Sequence, residues 1–222
     1  MNNKSALLLG ASGLVGGFCL QALLAEPSYN RIVLLTRRQL PLQRHPHLEQ
    51  KIVNFESLDP AGFYGIDDVF CALGTTIRKA GSQQAFRRVD LEYPLAAAQL
   101  AREAGARRFV LCSSVGANAK AKNFYLRVKG ELEEAIGKLG FPAFHVSRPS
   151  LLLGVRVEVR PAERLMTTLA PLFNLAMIGG LKRYRAIAAS AVGQPMVTAA
   201  RRDGSGTSVY QYEQIQELAE GS

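Results

Sequence analysis

The feature that most limits what this chain can fold into is the recurrence of short apolar, β-branched runs. They fall at Ala6 to Leu9, Ile32 to Leu35, Lys51 to Phe55, Asp68 to Leu73, Phe109 to Cys112 and Phe144 to Ser147, with chain between them for helices. A strand buried on both faces reads as a continuous apolar run, so such runs alternating with amphipathic segments predict a parallel sheet covered on both sides. The clearest helical segments are 13–25, 82–104 and 124–139. Within the second, Leu91, Leu95, Ala98 and Arg102 step at helical spacing, and Pro94 allows only a kink or a late start. The predicted fold class is α/β, a doubly wound parallel sheet with helices on both faces.

With 222 residues, 48% of them hydrophobic, the chain is long enough for one well-buried core and short for two, so residues 1–222 read as a single domain. After Arg201 the pattern is a loop at Asp203 to Gly206, an edge strand at Ser208 to Tyr212 and a short terminal helix. The stretch Leu165 to Leu181 carries no charge, but it contains Pro171, Asn174 and two glycines. It falls short of the roughly 20 apolar residues of a membrane span. It reads as a helix covering a substrate site or a subunit contact, without stable membrane insertion.

A net charge of +9 suits nucleic acid, an anionic surface or a phosphate-bearing ligand. The basic residues are scattered in short clusters such as Arg87-Arg88, Arg107-Arg108 and Lys182-Arg183, with no long basic stripe and no interleaved aromatics, which argues against a nucleic-acid partner. Cys19, Cys71 and Cys112 sit in apolar segments without paired or metal-ligand spacing, as reduced thiols do. The first apolar run is too short for a secretory signal, and the expected location is cytoplasmic. His45 and His47 flank Pro46 in a polar loop with no further ligands at metal spacing, so no metal is expected.

Gly10, Gly13 and Gly16 follow the first predicted strand and open the first predicted helix. Glycines let backbone approach a pyrophosphate, and a helix N-terminus offers unpaired N–H groups and a positive dipole. The spacing is G-x-x-G-x-x-G rather than G-x-G-x-x-G, and a turn with purely structural glycines is the competing reading. Arg37 and Arg38 end the second strand about 20 residues further on, where a dinucleotide site meets the adenine ribose. An acidic residue there would accept from a 2′-hydroxyl, whereas two guanidinium groups suit a 2′-phosphate. The pair predicts NADPH in preference to NADH, unless it only begins the polar loop through Gln39, Pro41, Gln43 and Arg44.

Ser113 and Ser114 close the fifth apolar run, and Tyr125 and Lys129 lie one helical turn apart on the third helix. A cation beside a tyrosine favours its phenolate and brings the phenol nearer a working pH. The same spacing also occurs by chance in solvated helices, so its weight comes from the glycine turn, the arginines and the serines in this chain order.

These four features together resemble the short-chain dehydrogenase/reductase superfamily, in its atypical branch. Cys71 to Gly81, Phe86 to Tyr93 and Tyr125 to Glu131 are similar to the Tat-interacting-protein subgroup, and the resemblance runs from about Leu7 to Gly154. It implies a Rossmann-type sheet with a small C-terminal extension, in which 155–222 form a reduced substrate-side region. Gly10, Ser12, Gly13, Leu14 and Val15 would lie along the pyrophosphate, Arg37 and Arg38 on the 2′-phosphate, and Phe55 and Glu56 beside adenine. Leu73, Gly74 and Thr75 would pass beneath the nicotinamide ribose, and Arg148, Pro149 and Ser150 would bring backbone groups to the nicotinamide end. Tyr125 would transfer the proton. Lys129 would bind ribose hydroxyls and tune the tyrosine, and Ser114 or Ser113, with Ser114 favoured, would hold the substrate oxygen.

The resulting expectation is an NADPH-dependent oxidoreductase, monomer or homodimer, that moves hydride between nicotinamide (NADPH or NADP+) and a small carbonyl or enone. The alternative is an NADPH-binding sensor that governs a protein partner with little turnover.

Overall fold

The apolar runs become neighbouring strands because each buries side chains on both faces. A computed structural model of the chain describes residues 3–150, 152–153, 182, 184–202 and 204–221. In chain order the strands are β1 (Lys4–Leu9), β2 (Tyr29–Thr36), β3 (Leu48–Ile52), β4 (Asp68–Cys71), β5 (Arg108–Cys112), β6 (Ala143–Ser147), β7 (Leu152–Leu153), β8 (Ile187–Ala188) and β9 (Gly206–Tyr210). Seven of them form one sheet in the order β3-β2-β1-β4-β5-β6-β9, parallel at every pairing. The first six positions follow the Rossmann-type doubly wound order, whose direction reverses between β1 and β4. The pair β7 and β8 lies apart.

Helices cover both faces. On one, α1 (Leu14–Ala25), α6 (Ser190–Arg201) and α7 (Tyr212–Glu220) bury Leu20, Leu23, Val192, Met196 and Ile215 against Ala6, Leu8, Leu34 and Val110. Here α1 and α6 touch through Gly193, where a Cβ would fall 2.6 Å from that of Phe18. On the other face, α4 (Tyr93–Glu103) and α5 (Phe124–Gly137) bury Ala97, Ala101, Leu132 and Ile136 against Leu7, Leu9, Val69 and Phe109.

Three expectations shift in detail. The third strand begins earlier, at Leu48, because Ile32 N–H reaches His47 O (2.7 Å); it closes where Asn54 Oδ1 accepts from Glu56 N (3.0 Å). The helix expected over 82–104 is broken into α3 (Gln83–Arg87), a π turn (Arg88–Glu92) and α4, after the short α2 (Ile77–Ala80). Pro94 has no N–H to offer the Asp90 carbonyl, and Tyr93 N–H bonds back to Arg88 O instead. The last strand ends at Tyr210 rather than Tyr212, which opens α7. The apolar stretch Leu165 to Leu181 lies outside the described residues.

At the N-terminal edge of the sheet, buried Asp68 accepts from Tyr29 Oη (2.6 Å) and pairs with Arg108 (3.3 Å) and Lys4 (3.6 Å), tying together the starts of β1, β2, β4 and β5. His145 Nδ1 and Tyr210 Oη lie 3.0 Å apart between β6 and β9.

Candidate active site

The opposite, carboxyl edge of the sheet carries the candidate residues, and the glycine turn is its tightest point. Gly10 leaves β1 with φ +88°, and a Cβ there would stand 2.5 Å from the carbonyl of Ala72, which follows β4. Only glycine fits both conditions. A Cβ at Gly16 would fall 2.1 Å from Gly10 O, so the first turn of α1 presses onto the strand end. Gly13 caps α1 without a side chain, and no described hydrogen bond closes the N–H groups of Leu14, Val15 and Gly16. Open N–H groups at the switch point, with no side-chain cap bond to them, fit the pyrophosphate of a dinucleotide.

Arg37 and Arg38 directly follow β2, are exposed, and have no ion-pair partner among the described residues. Gln50 Nε2 pins their backbone by donating to Thr36 Oγ1 (3.1 Å) and Arg38 O (3.2 Å). Phe55 is buried and stacks on Tyr93 with centroids 5.6 Å apart, while Glu56 accepts from Tyr93 Oη (3.2 Å) and pairs with Arg88 (3.3 Å).

Beyond β4, Leu73, Gly74 and Thr75 run past the π turn. Thr75 N–H donates to Asp90 Oδ2 (2.8 Å), and Asp90 Oδ1 holds Lys129 Nζ at 2.8 Å. Both charged side chains are buried. A Cβ at Gly74 would lie 3.3 Å from Asp90 Oδ1, so the strand end passes directly over the pair. Burial opposes the Lys129 charge, but Asp90 and, in the same sense, Tyr125 outweigh it, and the lysine pKa rises above its ordinary value. Lys129 is therefore a fixed ammonium. In the sequence Asp90 falls within the Phe86 to Tyr93 stretch of the resemblance, without an assigned site role.

Tyr125 stands in the first turn of α5, partly exposed, with its ring 5.8 Å from that of Phe86. The Asn123 side chain caps this helix by accepting from Leu126 N (3.1 Å). A Cβ at Gly130 would fall 2.2 Å from Ala119 N, so the loop after the serines is packed hard against α5.

The two serines have different surroundings. Ser113 is buried and its hydroxyl donates to Glu133 of α5. Ser114 is partly exposed, and among the described residues its Oγ meets only Val115 O, at 3.4 Å. Arg148 Nε reaches both oxygens of Glu133 (3.1 and 3.2 Å), Pro149 O accepts from Val115 N (2.9 Å), and Ser150 Oγ donates to Arg185 O. Sequence reasoning missed Glu133, although it lies four residues beyond Lys129 on the spacing that singled out Tyr125.

Comparison with known proteins places this geometry. A family described as NAD(P)H-binding matches residues 10–138. Protein HTATIP2 of Rattus norvegicus is 43% identical over 170 residues, 74% of this chain and 69% of the relative. Protein FMP52-1, mitochondrial, of Scheffersomyces stipitis is 33% identical over 201 residues, 86% of this chain and 82% of the relative. Among solved structures, MoeE5 in complex with UDP-glucose and NAD superposes with TM-score 0.70 at 16% identity, covering 98% of this chain and 82% of that one. The likeness at that identity carries the fold. UDP-glucuronic acid 4-epimerase from Bacillus cereus, in complex with NAD, gives 0.66 at 13%, covering 93% and 77%.

These relatives correct one expectation. The cytoplasmic location is overturned by the several FMP52 relatives named mitochondrial. Unpaired thiols report a reducing environment, not which membrane-bounded compartment supplies it. Among the described residues no helix is long and apolar enough to cross a membrane. The glycine turn and the open helix N-terminus agree with the matched span, and this chain belongs to the NAD(P)H-binding family, with HTATIP2 and the FMP52 proteins among its relatives.

Proposed function

We propose that the protein is an NADPH-dependent oxidoreductase acting on a small carbonyl or enone, with Tyr125 as the proton-transferring residue. The observation that carries this reading is the buried Lys129–Asp90 pair one helical turn from a partly exposed phenol. A bound reduced nicotinamide supplies the hydride. Ser114 donates a hydrogen bond to the substrate oxygen, and Tyr125 passes its proton to that oxygen as charge develops there, with the reverse proton movement in oxidation. Lys129 has three donors and spends one on Asp90, which leaves donors for ribose hydroxyls and for the phenolic oxygen. The single-domain reading extends through the described C-terminal residues, which add β9 to the sheet and α6 and α7 to one of its faces.

Arg37 and Arg38 support NADPH, because two guanidinium groups at the end of β2 without an ion-pair partner among the described residues suit a phosphate dianion. Replacing both with Ala should weaken NADPH by about tenfold to a hundredfold and leave NADH little changed, read by calorimetry at fixed low salt. Equal losses for the two cofactors would remove the phosphate role. Turnover itself is tested with phenanthrenequinone as hydride acceptor. Consumption of NADPH is expected, and saturable NADPH binding without consumption of any acceptor in a carbonyl panel would favour a sensor over an enzyme.

A further inference from the structure

Lys129 is not the only buried charge on the inner face of α5. Tyr125, Lys129 and Glu133 recur at every fourth residue and so share one side of the helix. The two charged ones dock beside different strand ends. Lys129 reaches Asp90 beside the end of β4, and Glu133 reaches Ser113 after β5 and Arg148 after β6. Arg148 is in turn tied to the edge strand, its N–H donating to Tyr210 O at 2.8 Å.

A buried carboxylate is retained at low cost only when its oxygens are filled, and both oxygens of Glu133 are. The ladder between β5 and β6 continues through Ser113 N to Ser147 O (2.8 Å) and Val115 N to Pro149 O (2.9 Å). Residues 113 and 115 are thereby pinned on either side of Ser114. The Ser113 hydroxyl is engaged at Glu133, and the Ser114 hydroxyl is left at the more open position.

The geometry points to Glu133 as a positioning residue: by clamping Ser113 and Arg148 it fixes α5 over the ends of β5 and β6, and so sets the distance between Tyr125 and Ser114. This inference rests on the oxidoreductase reading above. It also assigns Ser114 rather than Ser113 as the hydroxyl that meets substrate.

A double-mutant cycle tests it. The whole chain is compared as wild type, Glu133→Gln, Ser114→Ala and the double variant, reading kcat for NADPH-dependent reduction of phenanthrenequinone together with the NADPH Kd. Misplacing the catalytic pair should lower kcat in Glu133→Gln by about tenfold to a hundredfold, with Kd within about twofold of wild type. In the Ser114→Ala background the same substitution should have almost no further effect, because the hydroxyl being positioned is gone. Additive losses, or a kcat for Glu133→Gln within about twofold of wild type, would overturn the inference while leaving the enzyme reading intact. If Glu133→Gln does not fold, Arg148→Lys carries the same cycle, since it keeps a charge at Glu133 but loses the planar fork. Wild type that binds NADPH and reduces no acceptor overturns both readings together.

Discussion

The residue that most changes the picture of this site is Asp90. Tyr125 and Lys129 are legible as a spacing, and the rise in the lysine pKa comes from a carboxylate far earlier in the chain, at position 90. No periodicity links the two, because contact requires the π turn and α5 to lie side by side. A buried ion pair that loses one partner leaves an uncompensated charge, so Asp90→Ala should destabilise the protein by about 3–5 kcal/mol. Lys129→Met in that background should recover much of the loss, since it removes the stranded ammonium. Urea unfolding of the two variants checks this. An Asp90→Ala midpoint equal to wild type would show that the pair contributes nothing to the fold. Glu133 was open to the same spacing argument, but its partners Ser113 and Arg148 come from two strand ends whose adjacency only the sheet order reveals.

Between elements, the most constrained contact is where β1 meets the end of β4 at Gly10 and Ala72. Gly10→Ala puts a side chain at a left-handed φ and into backbone at once. The strained dihedral alone costs about 1–3 kcal/mol, and the displaced strand end should also abolish dinucleotide binding. A variant that unfolds like wild type and still binds NADPH would show that the turn has room to adjust. All seven strands of the main sheet and helices α1, α4, α5 and α7 were legible from apolar runs, helical spacing and the pattern of the tail, whereas the 12-residue α6 was not; the edges of the elements were less so. Pro94 marked an interruption, yet the π turn that aims Asp90 inward also depends on Tyr93 stacking on Phe55, a contact between distant segments. The start of β3 at Leu48 similarly rests on pairing with β2 rather than on its own half-exposed residues.

Taken whole, the molecule divides its sheet into a structural edge and a chemical edge. At the structural edge, burial and then Arg108 lower the His145 pKa from its ordinary value. Between the folded pKa and about 6.5 the unfolded chain binds the extra proton, so stability rises with pH through that window. It is fully present above the window and lost below it. Stability measured by urea midpoint should therefore fall on acidification, and His145→Gln should flatten that fall; an unchanged profile would place the acid sensitivity elsewhere. The chemical edge was legible in its order of motifs, from the glycine turn through the arginines to the serines, Tyr125 and Lys129. Its substrate side was not, because the stretch after Gly154 carries no motif. The central claim is that this edge performs hydride chemistry through Tyr125. The most direct measurement compares wild type with Tyr125→Phe, both saturated with NADPH, for reduction of phenanthrenequinone. The account predicts an unchanged NADPH Kd and a kcat lower by about a hundredfold or more; a Tyr125→Phe variant that turns over as fast as wild type would contradict it.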